Sequence, residues 1–216
     1  MDLPNIKTFP EKLYNKLVAK YLKNAITDSK NVIITAGKTV KPIYRLCDNC
    51  NFKNKVFYLS DERIVPYSSK LSNYSSLKNY NFIKKNKFIH FNIYKKFLKK
   101  KTELYFKEIS KVKKIDTSIL TVGKNCHIAS IFFNKKTKFD QIYFFNEYNR
   151  VSISLKLLSQ SKKIILICNK KERAKELANN LKNKKKIFKF LSYKNMTILF
   201  DKKSYKYFIG KINEIK

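Results

Sequence analysis

Short apolar runs separated by segments of helical periodicity are the feature that most constrains the fold of this chain. Alternating strands and helices bury both faces of a sheet, because each helix crosses over to start the next parallel strand. The sequence therefore predicts an α/β fold with a mostly parallel sheet and helices on both faces. The runs that we interpret as buried strands are NVIITAG (31–37), KVFYLSDERI (55–64), TSILTVG (117–123), KIILIC (163–168) and MTILF (196–200).

The segments between these runs carry helix signals. Apolar residues recur at helical spacing from about 11 to 27, about 97 to 112 and 171 to 181, and a closing helix is expected at about 203 to 215. A helix is expected to follow Thr39, a suitable N-cap, with Pro42 in its first turn, and another to open at SNYSSLKNY (72–80). FIHFNIY (88–94) and QIYFF (141–145) are expected to be short strands.

Length and hydropathy indicate a single cytoplasmic unit. A chain of 216 residues fits one domain, residues 1–216, because single hydrophobic cores rarely grow much beyond about 250 residues. No apolar run approaches the length of roughly 18 residues that a spanning helix needs, and the opening MDLPNIKTF has no basic leader. We therefore expect neither a membrane partner nor a signal peptide.

A formal charge of +34 raises the question of a nucleic-acid partner. The basic residues are 45 Lys and only four Arg, and Lys is spread along the whole chain with heavy Asn, Ile, Phe and Tyr usage. All five of these residue types have A/T-rich codons, so a genome whose base composition drifts toward A and T explains the Lys content. We expect nonspecific attraction to polyanions in dilute salt but no specific nucleic-acid partner.

The four cysteines do not form a recognisable metal or disulfide pattern. Cys47 and Cys50 make a CxxC, but no second pair or histidine pair at ligand spacing completes a zinc site. The CxxC lies at the predicted end of a helix rather than at its start, where redox cysteines are activated. Free, reduced thiols are expected for all four cysteines, with no metal.

Four strand ends should converge, because ligands of parallel α/β folds gather beyond the carboxyl ends of the strands. The segments are TAGKT, SDERI, VGKNCH and ICNKK. In the first, Gly37 runs into a helix start whose N–H groups would suit a phosphate; an ordinary tight turn is the alternative. In the second, Asp61, Glu62 and Arg63 offer a guanidinium oriented by acids, or a surface ion-pair patch.

The third segment contains one of only two histidines. Gly123 allows a sharp turn, and His127 is expected at the start of a helix, where the local potential favours a neutral imidazole that can accept a proton from water. A core histidine is the alternative, and it is the preferred interpretation for His90. Ser72 and Asn73 are helix caps or ligand donors. Arg150 and Arg173 bring cations to the same edge, or face solvent.

Taken in order, these segments resemble the lactonase branch of the glucosamine-6-phosphate isomerase/6-phosphogluconolactonase family. That branch reads GGSTPKxLY, DERxVP with a following SNY, LGxGxDGHxASLFP, RxSL and GxxK. This chain has AGKTVKPIY (36–44), DERIVP (61–66) with SNY (72–74), LTVGKNCHIASIFF (120–133), RVSIS (150–154) and KKER (170–173). The resemblance spans nearly the whole chain, and the order of the motifs is more specific than any one of them.

The resemblance implies a Rossmann-like fold and hydrolysis of 6-phospho-D-glucono-1,5-lactone to 6-phosphogluconate in the oxidative pentose phosphate pathway. It implies no metal or organic cofactor, a small sugar phosphate as the partner, and a monomer or homodimer. The catalytic set that it implies is His127 as general base, Asn125 and Arg63. The substrate- and phosphate-binding set is Gly37, Lys38, Thr39, Asp61, Glu62, Ser72, Asn73, Arg150 and Arg173, the last replacing the lysine of GxxK.

Two positions depart from the family pattern. Asn125 stands where the family has Asp, and Cys126 where it has Gly. An amide cannot supply the negative charge that stabilises an imidazolium, so a slower chemical step is expected, and Asn125→Asp should raise the rate. A sugar-phosphate-binding relative with impaired catalysis stays open as an alternative. A deaminase is less favoured, because the Ala-Phe-Asn-Glu run after its histidine is absent here.

Overall fold

A seven-stranded sheet forms the centre of the protein, and every neighbouring pair of its strands is parallel. The computed structural model describes residues 4–91, 98–112, 114–132, 143–146, 149–182 and 193–214. The strand order is β1-β10-β9-β6-β2-β3-β5, which confirms the predicted sheet. The strands in chain order are β1 Asn5–Phe9, β2 Asn31–Ile34, β3 Val56–Leu59, β4 Asp61–Arg63, β5 Lys87–Ile89, β6 Ile115–Thr121, β7 Tyr143–Asn146, β8 Arg150–Ile153, β9 Ser161–Cys168 and β10 Met196–Asp201.

The central strands are buried on both faces. In β9 the residues from Ile164 to Cys168 are all buried, and in β10 all six residues are. A strand with one wet face would alternate buried and exposed residues, so this continuous burial means that helices cover both faces of the sheet. The apolar runs of the sequence are therefore explained by the sheet that they form.

The helices begin and end close to where periodicity predicts them. In α1, one face buries Val18, Leu22, Ala25 and Ile26, which is the predicted helical spacing. None of the helix signals in the sequence predicts the short helices α4 and α6. The helices are α1 Tyr14–Thr27, α2 Lys41–Cys47, α3 Asn73–Leu77, α4 Asn81–Lys84, α5 Leu98–Ser110, α6 Leu155–Ser159, α7 Lys171–Lys182 and α8 Lys202–Asn213.

The predicted strand 55–64 is two strands in two different sheets. β3 belongs to the parallel sheet, whereas β4 pairs antiparallel with β8 in a three-stranded sheet of order β4-β8-β7. Ser60 joins them, because its N–H donates to Ile34 O at 2.9 Å and its carbonyl accepts from Ile153 N at 3.0 Å. The chain leaves the first sheet at this residue, so the polar run Asp61–Arg63 extends away from the core strands.

Two helix starts were predicted wrongly. Helix α2 begins at Lys41 with Val40 at its N-cap, and the hydroxyl of Thr39 accepts from Arg173 instead of capping the helix. No helix begins at His127 within residues 127–132, because Ile128 forms bridges with Val122 and Ile131 and Ala129 has a φ of 53°. These bridges fold the segment back on itself, which a helix cannot do.

The edge of the sheet that was predicted to hold the site lies at a reversal of strand order. From β2 the chain adds β3 and β5 on one side, and from β6 it adds β9 and β10 on the other. TAGKT follows β2 and VGKNCH follows β6, so both loops flank the switch point where doubly wound sheets bind ligands. SDERI and ICNKK follow the strands on either side, β3 and β9, and all four segments therefore meet at one edge.

Some sequence predictions extend beyond the described residues. Residues 92–94 and 97, residues 141–142, residue 215 and Phe133, the last residue of the histidine motif, lie outside them. In the described part of the chain, no helix combines the length and the apolar character that crossing a membrane requires.

Candidate active site

The imidazole of His127 is held in one orientation by the main chain. Its Nδ1 lies 2.5 Å from the carbonyl oxygen of Lys124. A carbonyl oxygen only accepts hydrogen bonds, so Nδ1 carries the proton and Nε2 of the neutral ring is left with its lone pair. Burial lowers the pKa of His127, with Arg150 and Arg173 acting in the same direction, while the Lys124 carbonyl and Asp61 raise it. The neutral form is therefore favoured at neutral pH.

Gly123 supplies the space in which this ring sits. A Cβ at position 123 would lie 2.1 Å from Nε2 of His127 and 2.2 Å from its Cε1, which is far inside contact distance. The φ of Gly123 is −83°, so the requirement for glycine comes from the ring and not from the backbone conformation. On another side the ring of Phe132 lies 4.7 Å away, centroid to centroid.

The two unusual residues of the histidine loop have left-handed backbones. Asn125 has a φ of 58° and Cys126 a φ of 57°. Asn tolerates this region, whereas Cys does so at a cost, which explains why a glycine suits position 126. The Cys126 side chain is fully buried and Asn125 is exposed. The imidazole is thus oriented by a main-chain carbonyl next to position 125.

A buried carboxylate links the histidine loop to the DER segment. Asp61 is only 3% exposed; its Oδ2 accepts from Ser130 Oγ at 2.7 Å and its Oδ1 accepts from Ser60 Oγ at 2.8 Å. Nη1 of Arg150 donates to the same Ser130 Oγ at 3.4 Å. Ser130 follows His127 by three residues, so the negative charge of Asp61 lies beside the loop that carries the imidazole.

Two arginines face each other across the small sheet. Arg63 in β4 is the register partner of Arg150 in β8. Desolvation lowers the pKa of Arg150 and the charge of Arg63 adds to that effect, while Asp61 opposes it. Two guanidinium groups brought together in partial burial favour an anion between them or beside them.

Glu62 fixes the loop that precedes α3. It is fully buried, and its two oxygens accept from the backbone N–H groups of Arg63, Asn73 and Tyr74, each at 2.7 Å, and from Ser72 Oγ at 3.1 Å. Burial raises the pKa of Glu62, although these N–H donors act against it. Ser72 is also the N-cap of α3, where its Oγ accepts from Ser75 N at 3.1 Å. The sequence placed Glu62 with the ligand-binding residues; in the structure its carboxylate binds the protein itself.

Arg173 connects the loop after β2 to the loop after β6. Its Nη1 donates to Thr39 Oγ1 at 3.1 Å and to Val122 O at 3.0 Å. Val122 precedes Gly123, so this guanidinium, the threonine and the histidine loop form one cluster. Gly37, with a φ of 129°, begins the same loop and requires glycine for its conformation.

The predicted residues therefore fall into two connected groups. Thr39, Arg173, Arg150 and Asp61 surround the histidine loop. A neighbouring cavity of about 320 Å³ lies between α2 and the loop before α3, and the predicted residues that line it are Gly37, Lys38, Arg63, Ser72 and Asn73. Asn73 Nδ2 donates to the Asp61 carbonyl at 2.8 Å, which joins the two groups.

Sequence reasoning did not assign three groups that contribute here. They are the carbonyl of Lys124, the hydroxyl of Ser130 and the side chain of Tyr44, which lines the cavity. Ser130 and Tyr44 lie inside quoted motifs, so motif membership was a signal for both. No side-chain pattern indicates the role of a main-chain carbonyl.

The remaining histidine and the CxxC are packed away from this cluster. His90 stacks on Tyr74 with ring centroids 3.9 Å apart, and burial lowers its pKa. Cys47 is buried at the end of α2, where desolvation raises its pKa to about 12, so its thiol stays protonated. The four cysteines are free.

Fold and side chains together define a Rossmann-like α/β protein with a cluster of cationic residues at the topological switch point of its sheet. A comparison with known sequences then identifies the family of the chain. The profile described as glucosamine-6-phosphate isomerases/6-phosphogluconolactonase matches residues 9–188. The chain therefore belongs to the glucosamine-6-phosphate isomerase/6-phosphogluconolactonase family.

Individual relatives agree with this assignment. A 6-phosphogluconolactonase of Thermotoga maritima is 28% identical over 181 residues, which are 78% of this chain and 82% of that protein. A probable 6-phosphogluconolactonase of Dictyostelium discoideum is 29% identical over 187 residues, 74% of this chain and 79% of that one. The crystal structure of the Thermotoga maritima 6-phosphogluconolactonase superposes with a TM-score of 0.78 at 24% identity, covering 91% of this chain and 98% of that chain.

Proposed function

We propose that this protein hydrolyses the ring ester of 6-phospho-D-glucono-1,5-lactone to 6-phosphogluconate. The observation that carries the proposal is the state of His127: its Nδ1–H donates a hydrogen bond to the Lys124 carbonyl oxygen, and Nε2 is the basic atom of the neutral ring. A neutral imidazole held in one orientation can accept a proton from water at neutral pH. The names of the relatives supply the substrate class.

In the proposed reaction, Nε2 of His127 takes a proton from water as the water oxygen bonds to the lactone carbonyl carbon. The carbonyl oxygen gains negative charge, which the guanidinium groups of Arg63 and Arg150 stabilise. The bond from that carbon to the ring oxygen then breaks, and the imidazolium returns its proton to the ring oxygen, which becomes a hydroxyl. The product is a carboxylic acid that ionises in solution. Each step uses only water and side chains of this chain.

Asp61 takes part in this proposal by stabilising the imidazolium. Its charge raises the pKa of His127, and its carboxylate is fixed by two serine hydroxyls. An acid on β4 thus offsets the missing acid at position 125, although it does so through space and not by bonding Nδ1. We propose Asp61 as a positioning and electrostatic residue for this reason.

The phosphate of the substrate is assigned to Gly37, Lys38, Thr39 and Arg173. The guanidinium of Arg173 already touches Thr39 and the loop before Gly123, so an anion bound there would be anchored next to the imidazole. Such an anchor would fix the sugar ring relative to the base. We place Ser72 and Asn73 on the side of the substrate site opposite this phosphate position. The carboxylate of Glu62 holds Ser72, and the main-chain carbonyl of Asp61 holds Asn73.

The test is acid release from freshly prepared lactone, measured above the spontaneous rate. We expect activity in the wild type and a fall to the spontaneous rate in His127→Ala. His90→Gln is the matched control, because it removes the only other histidine. A wild-type rate equal to the blank, with 6-phosphogluconate still raising the melting temperature, would identify a sugar-phosphate-binding relative instead. Ammonia release from glucosamine 6-phosphate would identify a deaminase.

A further inference from the structure

The carboxylate of Asp61 is buried without a cation in direct contact. None of the ion pairs formed within the described residues includes it. Its two oxygens accept instead from serine hydroxyls, Oδ1 from Ser60 at 2.8 Å and Oδ2 from Ser130 at 2.7 Å. Buried carboxylates are rare unless they are paired, so a carboxylate held by two neutral hydroxyls requires an explanation.

A cation lies close enough to form that pair. Asp61 in β4 is the register partner of Ser152 in β8, and Arg150 lies two residues before Ser152. Residues two apart along a strand face the same side of the sheet, so Asp61 and Arg150 are diagonal neighbours on one face. Long side chains can span this diagonal, and the absence of a direct ion pair is therefore not a matter of reach.

The hydroxyl of Ser130 lies between the two charged groups. Its Oγ donates to Asp61 Oδ2 at 2.7 Å and accepts from Arg150 Nη1 at 3.4 Å. A carboxylate only accepts hydrogen bonds and a guanidinium only donates them, so the direction of both bonds is fixed. Asp61 and Arg150 are thus connected through one neutral oxygen atom.

Ser130 is itself fixed in this position. It is fully buried, and its N–H donates to Ser152 Oγ at 3.2 Å. Ser130 is therefore bound to β8 through its main chain and to β4 through its side chain. Turning its hydroxyl away would remove a donor from a buried carboxylate, which is costly.

The intervening hydroxyl preserves the charge of Arg150. A carboxylate in direct contact can engage two of the five N–H donors of a guanidinium and neutralise its charge. A single hydroxyl engages one donor and brings no charge. Arg150 therefore stays cationic toward any other anion, while Asp61 still fixes the direction of its side chain through the hydroxyl.

We infer that Ser130 is a positioning residue for Arg150. Its hydroxyl holds the guanidinium beside Asp61 and prevents the two from pairing, so that Arg150 stabilises the oxygen anion formed from the lactone carbonyl. This inference rests on the proposed function, which gives that role to Arg63 and Arg150. Without the hydroxyl, Asp61 lacks a donor, and the guanidinium of Arg150 turns toward it and away from the substrate.

The experiment compares two serines that bind the same carboxylate. Ser130→Ala removes the hydroxyl between Asp61 and Arg150, whereas Ser60→Ala removes the hydroxyl on the other carboxylate oxygen and leaves the contact of Arg150 in place. We expect kcat for the lactone to fall about tenfold in Ser130→Ala with KM nearly unchanged, because the lost interaction acts on the transition state. Ser60→Ala should lower kcat less.

A crystal structure of Ser130→Ala reports the arrangement directly. It should show a guanidinium nitrogen of Arg150 within about 4 Å of the Asp61 carboxylate, the distance of an ion pair. If Ser130→Ala does not fold, Ser130→Cys nearly keeps the volume of the side chain. Its thiol is a weak donor and a weak acceptor, so the same changes in kcat and in structure are expected.

Three results would overturn the inference. The first is an unchanged kcat in Ser130→Ala. The second is an equal fall in Ser60→Ala, which would mean that both hydroxyls serve only to hold Asp61. The third is a variant structure in which Arg150 and Asp61 stay apart. A wild type without lactonase activity would refute the proposed function, and the variant structure would still decide whether Ser130 keeps the two charges from pairing.

Discussion

The DER segment and the histidine loop are both recognisable as family motifs, yet they are held in place by opposite means. In residues 61–74 the side chain of Glu62 binds three backbone N–H groups and a serine hydroxyl. In residues 123–130 the main chain binds a side chain, since the Lys124 carbonyl holds the imidazole of His127. One region depends on a particular carboxylate, and the other depends on a backbone conformation.

This difference explains which departures from the family pattern the chain tolerates. The DER triplet is intact, because a buried carboxylate with four donors has no simple substitute. The histidine loop has Asn125 and Cys126 in place of the family's Asp and Gly, yet it still presents a carbonyl to Nδ1. A conformation can be reached by more than one sequence, whereas a set of four hydrogen bonds to one carboxylate cannot.

The largest effect is expected at Glu62. Glu62→Ala leaves three backbone N–H groups of the 61–74 region without their acceptor, so we expect a loss of about 3 to 5 kcal/mol in the free energy of unfolding. Urea denaturation followed by circular dichroism measures it. Glu103→Ala, on the exposed surface of α5, is the control and should leave the midpoint unchanged. Equal midpoints for both variants would mean that Glu62 does not organise this region.

The next effect concerns the ring in the histidine loop. Gly123→Ala places a methyl group where the imidazole lies, while the backbone at φ −83° accepts alanine. We expect a folded protein whose kcat for the lactone is lower by about a hundredfold, because the displaced Nε2 no longer meets the water. Gly210→Ala is the matched control, since a Cβ there meets open space within α8. Full activity in Gly123→Ala would contradict the assigned position of the base.

A smaller effect is expected from Asp61. Asp61→Asn removes the negative charge that favours the imidazolium, so the pKa of His127, already lowered by burial, should fall further. The acid limb of the kcat/KM profile should move to lower pH with it, and kcat at neutral pH should fall by about tenfold. NMR titration of the ring protons measures the shift directly, with His90 as internal reference. An unmoved His127 resonance would remove Asp61 from the mechanism.

The fold could be predicted from the sequence because its strands are buried on both faces. Runs such as KIILIC and MTILF are short, almost entirely apolar and rich in Ile, which favours strands buried on both faces, and the order of loops along the chain then places Gly37, Gly123 and Arg173 at one edge. The break at Ser60 could not be predicted, because two consecutive strands in different sheets have the same local composition as one long strand. The pairing that separates them is between β4 and β8, almost ninety residues apart.

The residues of the candidate site are easier to recognise in the sequence than their hydrogen-bond partners. His127, Arg63, Arg150 and Arg173 are recognisable because family motifs fix their spacing. Their partners are main-chain carbonyls and two hydroxyls, namely Lys124 O, Leu71 O, Val122 O, Ser130 Oγ and Thr39 Oγ1. Such groups occur at every residue or at many, so only the folded backbone selects the one that binds. The bridges of Ile128 are likewise made by main-chain groups, which occur at every residue. The sequence therefore does not show that the segment after His127 forms bridges instead of a helix.

The smallest effect is expected from Asn125→Asp. From the sequence alone this change restores the acid of the motif, and its direction is unchanged here: a negative charge near the ring raises the pKa of His127 and the rate. Because Asn125 is exposed and Nδ1 already binds the Lys124 carbonyl, water screens the new charge, and we expect kcat to rise by less than about threefold. Raising the salt concentration should abolish the gain, which an acid bonded directly to Nδ1 would keep. A salt-resistant gain of an order of magnitude would show that a carboxylate can hold the histidine loop, as the Glu62 carboxylate holds residues 61–74.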